Sequence, residues 1–328
     1  MLTLIEAMHI LGTRVRAVRQ SLYERQVLRG WLTNFASAWA FYFATYFLHL
    51  GQQLEPVPSQ LYVGCRYLLG LLVFGSLFLR HSRRPSITWR RADYLILRGL
   101  YNLAALLCFY RSVEQGQTGR ANVLNMTYPA FVAIFAGPML GERVRARTFF
   151  LVALSVGGIV LNFYNPGTGP GFSAGNFWGL LSGVTAGVAV VALRGAATRS
   201  SGTEILTWMF AMGSLLLIPI NLRYIVDSGI PATAGYIFVS SGFGVIGQWW
   251  LTASYRHLDA ATGSIVSTTR IPIAVLMGYL FLAEPFVALP WAGAAVILTC
   301  NVLLAFQVRA EKLGGGPSTG YARPPANA

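Results

Sequence analysis

Three arginines, Arg66, Arg98 and Arg270, fall inside long apolar stretches that hold no acid of comparable depth. Arginine stays charged in proteins, and at the centre of a bilayer it costs about 2.5–3.5 kcal/mol on insertion scales. At 1.5 Å per helical residue, Arg270 stands about 15 Å inside its span, and Arg66 and Arg98 roughly 9–10 Å from their nearer ends. Two chemistries fit. The carbonyls of a broken helix can satisfy such a cation, or its planar fork can receive a carboxylate or phosphate. Polar companions recur on the same faces: Tyr101 and Asn102 with Arg98, Asn122 and Asn125 with Pro129, and Ser267 with Arg270. Gln248 groups with Thr252 and Tyr255, and Asn34 with Thr45 and His49. Tyr42 and Trp249 are candidate aromatic walls beside them. Each polar face has a plainer alternative, interhelical hydrogen bonding with no ligand. Several together favour a hydrated cavity, because polar faces in lipid must turn inward.

The elements that would position these residues are hydrophobic helices. The chain has 328 residues, 55% hydrophobic and 11% charged, which excludes an ordinary soluble domain. A helical span needs about 20 apolar residues. Ten stretches qualify, at about 31–50, 59–80, 92–111, 118–140, 145–164, 174–196, 203–223, 232–256, 260–282 and 286–308. The fold class expected is an all-α integral membrane protein with ten transmembrane helices. Pro129 and Pro272 interrupt the fourth and ninth stretches, and each removes a backbone hydrogen bond. Paired breaks of this kind point to a binding site and a moving element. Gly179, Gly183 and Gly187 step along the sixth stretch and permit close helix approach, within the protomer or in a dimer.

The net charge of +14 raises nucleic-acid binding, but there is no soluble domain to carry it. Most basic residues occupy one set of alternate loops and tails, including Arg143, Arg145, Arg147, Arg194 and Arg199. The positive-inside rule then places both termini in the cytoplasm, in an inner or plasma membrane. Residues 1–29 form an extension in which Leu4, Met8, Leu11, Val15, Val18 and Leu22 share a helical face, with arginines around it. An amphipathic helix on anionic headgroups is the expected role. Docking to a partner protein is an alternative. Residues 309–328 read as a disordered tail.

The halves repeat. The first closes on Thr127-Tyr128-Pro129 and Leu140-Gly141-Glu142, the second on Arg270-Ile271-Pro272 and Leu282-Ala283-Glu284. Tyr110-Arg111 and Tyr255-Arg256 precede the two runs. Five spans per copy put the second in the membrane upside down, so two inverted five-helix repeats are expected, at 31–165 and 171–308. Ala121 through Glu142 resembles the EamA-type signature of the drug/metabolite transporter superfamily. So do Arg66-Tyr67-Leu68-Leu69 and Arg98-Gly99-Leu100 leading to Phe109-Tyr110-Arg111-Ser112. The resemblance covers residues 31–308. It implies a ten-helix inverted-repeat carrier of small metabolites, with a cavity lined by spans one, three, four, six, eight and nine. Ala283 and Arg270 depart from that pattern.

Enzymatic readings find no support. There is no metal-ligand spacing, no nucleotide fingerprint, and His9, His49, His81 and His257 are scattered. No catalytic residue, cofactor or metal is expected. The expected function is a secondary carrier that exports or exchanges a small organic metabolite, an amino acid, organic acid or related anionic or zwitterionic compound, by alternating access. The candidate substrate residues are Arg270, Arg98, Arg66, Tyr101, Asn102, Asn122, Asn125, Ser267, Gln248, Trp249 and Tyr42, with Pro129 and Pro272 as helix breaks. The competing class is a non-transporting membrane subunit docked through residues 1–29. A homodimer also stands open.

Overall fold

The computed structural model describes residues 2–81, 89–115, 124–142, 145–163, 174–281 and 288–313. Among these, eleven helices carry nearly every residue: α1 (Leu2–Leu54), α2 (Ser59–His81), α3 (Trp89–Gln115), α4 (Tyr128–Leu140), α5 (Ala146–Phe163), α6 (Ala174–Ala197), α7 (Gly202–Ser228), α8 (Ala234–Ser254), α9 (Ala260–Ser267), α10 (Arg270–Phe281) and α11 (Ala288–Leu313). Residues 60–80, 174–197, 202–228 and 260–277 are long and apolar enough to cross a membrane. Residues 124–140, 146–161 and 291–304 are shorter apolar helices. Large apolar side chains such as Leu72, Phe150, Leu215 and Phe238 are exposed on helix surfaces. That arrangement suits a lipid solvent, in which apolar exposure carries no penalty.

α1 is 53 residues long, about 80 Å of helix. No break separates the N-terminal extension from the first apolar stretch, so residues 2–29 prolong that helix instead of forming an element of their own.

The helices pack in pairs. α3 lies along α6, α1 along α8, α2 along α7 and α5 along α11, while α4 meets α6 and α9. The glycines of α6 explain one close approach. A Cβ on Gly183 would stand 2.6 Å from the Leu124 carbonyl oxygen, and one on Gly187 2.6 Å from the Phe131 Cβ. These glycines therefore serve packing inside the protomer.

Two interruptions stand in corresponding places. Before α4, the Thr127 N–H reaches back only three residues, to the Leu124 carbonyl, and Pro129 sits in the first turn. Between α9 and α10, the N–H groups of Thr268 and Thr269 reach back three residues, to Ile265 and Val266, just ahead of Pro272. Threonine hydroxyls donate to the same carbonyls, Thr127 to Leu124 at 2.6 Å and Thr268 to Ile265 at 2.6 Å. The prolines lack the N–H that would reach back to Asn125 and Thr268, and the threonine hydroxyls add a second donor to carbonyls at each break.

α4 ends in a left-handed glycine cap, in which the Gly141 N–H donates to the Gly137 carbonyl at 2.8 Å. Gly141 has φ +68°, and the Glu142 N–H donates to the Ala136 carbonyl at 3.3 Å. Only a residue without Cβ takes that conformation freely. The turn swings Glu142 back across the bundle. The counterpart segment Leu282-Ala283-Glu284 lies outside the described residues.

Candidate functional site

A cavity of about 580 Å³ runs into the bundle. Its mouth is formed by His49 and Gln52 of α1 with Val57 and Pro58 of the following loop. Its inner part holds Arg66 and Tyr67 of α2, Asn102 and Phe109 of α3, Asn125 and Met126 beside the first break, Gln248 of α8, and Arg270 at the second break. Both interruptions thus open onto the same space. Each delivers a polar side chain there that a continuous apolar helix would not carry.

The arginines differ in their partners. Arg98 is 2% exposed and lies behind the cavity wall. It donates to the Ala189 carbonyl at 3.2 Å and to Gln248 Oε1 at 2.9 Å. A guanidinium only donates, so Gln248 must turn its carbonyl oxygen toward Arg98. The Gln248 NH2 group is then the end left for the cavity. Arg270 donates to the Met126 sulfur at 2.8 Å and lies 5.7 Å from the Phe41 ring centre. Arg66 crosses α8 at Gly244, where a Cβ would stand 2.2 Å from its Nε. That buried Nε has no hydrogen-bond partner. Asn102 donates to the Tyr67 hydroxyl at 2.7 Å and Asn125 to Ser182 Oγ at 3.0 Å. Both amides keep a carbonyl oxygen as an acceptor.

Of the residues expected from the sequence, Arg66, Asn102, Asn125, Gln248 and Arg270 come together on this cavity. Arg98 acts one layer behind it. Ser267 is placed elsewhere: it donates to Asn34 Oδ1 and the Gly263 carbonyl, both at 2.9 Å. Tyr42 packs against Trp39, Phe43 and Tyr46, away from the lining. Tyr101 is half-buried on α3 and is not a lining residue. Trp249 is 51% exposed. One residue is about 100° of helix turn, so with Gln248 turned inward its neighbour faces the bilayer. Asn122 lies outside the described residues. Pro129 is buried at the start of α4 and Pro272 is the third residue of α10. α2 and α7 contribute lining where the resemblance implied α6. The missed residues Phe109, Met209 and Phe210 are ordinary apolar helix residues with no signal in the sequence.

Charged groups gather outside the cavity lining, at the Gly30 end of α1. Arg194, 3% exposed, donates to Glu142 Oε1 at 3.2 Å and to the Tyr255 carbonyl at 2.7 Å. Glu142 Oε2 accepts from the Ala260 N–H at 3.1 Å. Asp259 caps α9 by accepting from the Thr262 N–H at 2.8 Å. Glu142 thus meets the positive end of α9. Burial and Asp259 push the Glu142 carboxyl above its usual range, against the pull of Arg194 and the Ala260 N–H. Gly30 packs on Leu258 beside this cluster, and about 33 Å of α1 separates it from Gln52 at the mouth.

His257 stands at the same end. Burial, then Arg256, Arg29 and Arg194, lower its pKa below the ordinary 6.5. The unfolded chain therefore takes up this proton first. The contribution of His257 to stability is complete above pH 6.5 and falls as pH drops through 6.5 toward the folded value. Thermal melts of purified protein should show an acid loss starting near pH 6.5 that His257→Gln flattens. A variant with the same acid profile as the parent would remove His257 as the cause.

The EamA-like transporter family matches residues 33–164 and 173–306. The chain is 28% identical over 252 residues to the pseudopaline exporter CntI of Pseudomonas aeruginosa, covering 76% of this chain and 87% of that one. It is 26% identical over 227 residues to a riboflavin transporter of Rhizobium johnstonii, covering 68% and 72%. A crystal structure 15% identical in sequence shares the fold, with a TM-score of 0.69 over 86% of this chain and 98% of that one. The named relatives are transporters, not enzymes.

Proposed function

The chain belongs to the EamA-like transporter family, and on that premise we propose that it is a secondary carrier exporting or exchanging a small organic metabolite with a carboxylate or phosphate. The observation that carries this reading is the cavity, with Arg270 and Arg66 in its walls; in this reading the Glu142–Arg194 pair closes the opposite side. Arginines accept the anion, and the amide oxygens of Asn102 and Asn125 suit a donor such as an ammonium group on the same substrate. Relatives named for pseudopaline and for riboflavin support reading the substrate class from the cavity, not from the family.

Ten spans in two inverted repeats, 31–165 and 171–308, form the transporting unit in this proposal. The pairing supports it. Exchange of each span with the one five places later turns the α1–α8 pair into the α3–α6 pair and leaves α2–α7 and α5–α11 as they are. Both termini are cytoplasmic, so the cavity opens outward and the ion-pair cluster is the closed inner side. Residues 1–29 are the root of α1, where their arginines meet anionic headgroups. Residues 309–328 are a cytoplasmic tail. Alternating access rocks the broken helices about Pro129 and Pro272.

Counterflow in proteoliposomes with a panel of carboxylates and phosphates tests the reading. Arg270→Gln should weaken the transported anion by about 1.5–3 kcal/mol, the range for hydrogen bonds to charged groups, and neutral analogues far less. A well-folded Arg270→Gln protein with unchanged anion transport would sink it.

A further inference from the structure

We propose that the substrate carries two separate anionic groups, one received by Arg66 and one by Arg270. This rests on the carrier reading above and deepens it. The arginines that serve the fold each hold two oxygen acceptors. Arg98 has a backbone carbonyl and an amide oxygen, and Arg194 has a carboxylate and a backbone carbonyl. Arg98 Nε is also buried without a partner, but its two terminal nitrogens are both held by oxygen acceptors; Arg66 and Arg270 have no such acceptor among the described residues. Arg66 Nε is buried without a partner. Arg270 is offered a thioether sulfur and an aromatic face, both weak substitutes for an oxygen acceptor. These two line one cavity, and among its described lining residues there is no aspartate or glutamate.

The two cations come from different halves of the chain, α2 and the start of α10. Gly244 makes room for one of them, because any Cβ there would collide with the Arg66 guanidinium. Gln248, its oxygen held by Arg98, adds a neutral donor. A compartment with two positive charges and no fixed negative charge draws in anions and repels cations. A monoanion compensates one guanidinium and leaves the second uncompensated as water is displaced, and an orphaned charge in a dry site is costly. A ligand with an anionic group at each arginine leaves none. Phe41, Leu106, Phe109, Met209 and Phe210 supply apolar walls. They suit a body that carries its charges at its ends and not in its middle.

The test uses the purified full-length protein and reads ligand-induced thermal stabilisation. The ligands are the linear dicarboxylates from malonate to suberate, the monoamide of each, and a phosphate monoester. The best dicarboxylate should bind at least about tenfold more tightly than its monoamide, the effect of one charge-assisted hydrogen-bonded group. Arg66→Gln and Arg270→Gln should each erase that preference, and Arg66→Lys should keep part of it. Gly244→Ala, which displaces Arg66 without changing charge, should also reduce it. Melting without ligand screens out variants that fail to fold, and Arg66→Lys and Gly244→Ala keep the question open to test if Arg66→Gln is one of them. Equal affinity for dicarboxylates and monoamides in the parent protein would overturn the proposal. So would a preference for the phosphate monoester, whose charges sit on one group. If Arg270→Gln weakens every anion and Arg66→Gln none, the two-group site fails and the carrier reading stands. If neither change affects any anion, both fail.

Discussion

Replacing Arg194 with methionine costs the folded protein about 3–5 kcal/mol, the range for removing one partner of a buried ion pair. The reason is what the substitution leaves behind. Glu142 is only 13% exposed, and its remaining support would be the Ala260 N–H, with Asp259 close by. The Tyr255 carbonyl would lose its donor as well. Glu142→Gln should be milder, about 1–3 kcal/mol, because the amide still accepts from Ala260. Joint replacement of Glu142 and Arg194 by leucine should recover much of the loss, since a buried pair exchanged for apolar groups is often neutral. Unfolding of the purified protein in mild detergent by added denaturing detergent measures all three. An Arg194→Met loss below about 1 kcal/mol would match an exposed surface pair, and the proposed closure by this pair would fail.

The second large effect falls on α6. Gly183→Ala adds a methyl group where the nearest atom is the Leu124 backbone oxygen, at 2.6 Å, with Thr127 Oγ1 at 3.0 Å. A backbone oxygen cannot swing aside as a side-chain tip can, so α6 must move off the first helix break. Overpacking of this kind costs about 1–3 kcal/mol. Transport should suffer beyond the stability loss, because Ser182 and Asn125 bond across the same contact at 3.0 Å. Gly157 on α5 is the control. A Cβ there meets nothing within 4 Å, so Gly157→Ala should be neutral, or stabilising by about 0.5–1 kcal/mol from helix propensity. If the two alanine variants melt and transport alike, the tight α4–α6 contact is not setting the site.

The sequence displays some of this and hides the rest, for physical reasons. Pro129 and Pro272 mark both interruptions, because a missing N–H is a local property of the chain. Apolar length marks the helices for the same reason. Facing is harder. The polar face through Gln248 is legible, but the exposure of its neighbour Trp249 depends on which side of α8 meets α1 and α2. Ser267 shares a face with Arg270 in a continuous helix. The break at Thr268 and Thr269 separates them, and Ser267 turns to Asn34 while Arg270 turns to the cavity. Arg194 is the clearest case. It counts among the loop cations by its position near a span end. Its partner Glu142 stands 52 residues earlier, in the other half of the chain, where no periodicity could connect the two.

The pairing of helices has a consequence for how the molecule comes into being. The repeat visible in the sequence is a unit of ancestry and not a unit of assembly. α1, α2, α3 and α5 each find their main neighbour in the second half, in α8, α7, α6 and α11. During synthesis the helices of the first half therefore enter the bilayer before their partners exist. They must wait there as separate helices, with Asn34 of α1, Arg66 of α2 and Arg98 of α3 facing lipid or one another. The polar groups that later turn inward are, in that interval, what makes the half-made chain unable to settle.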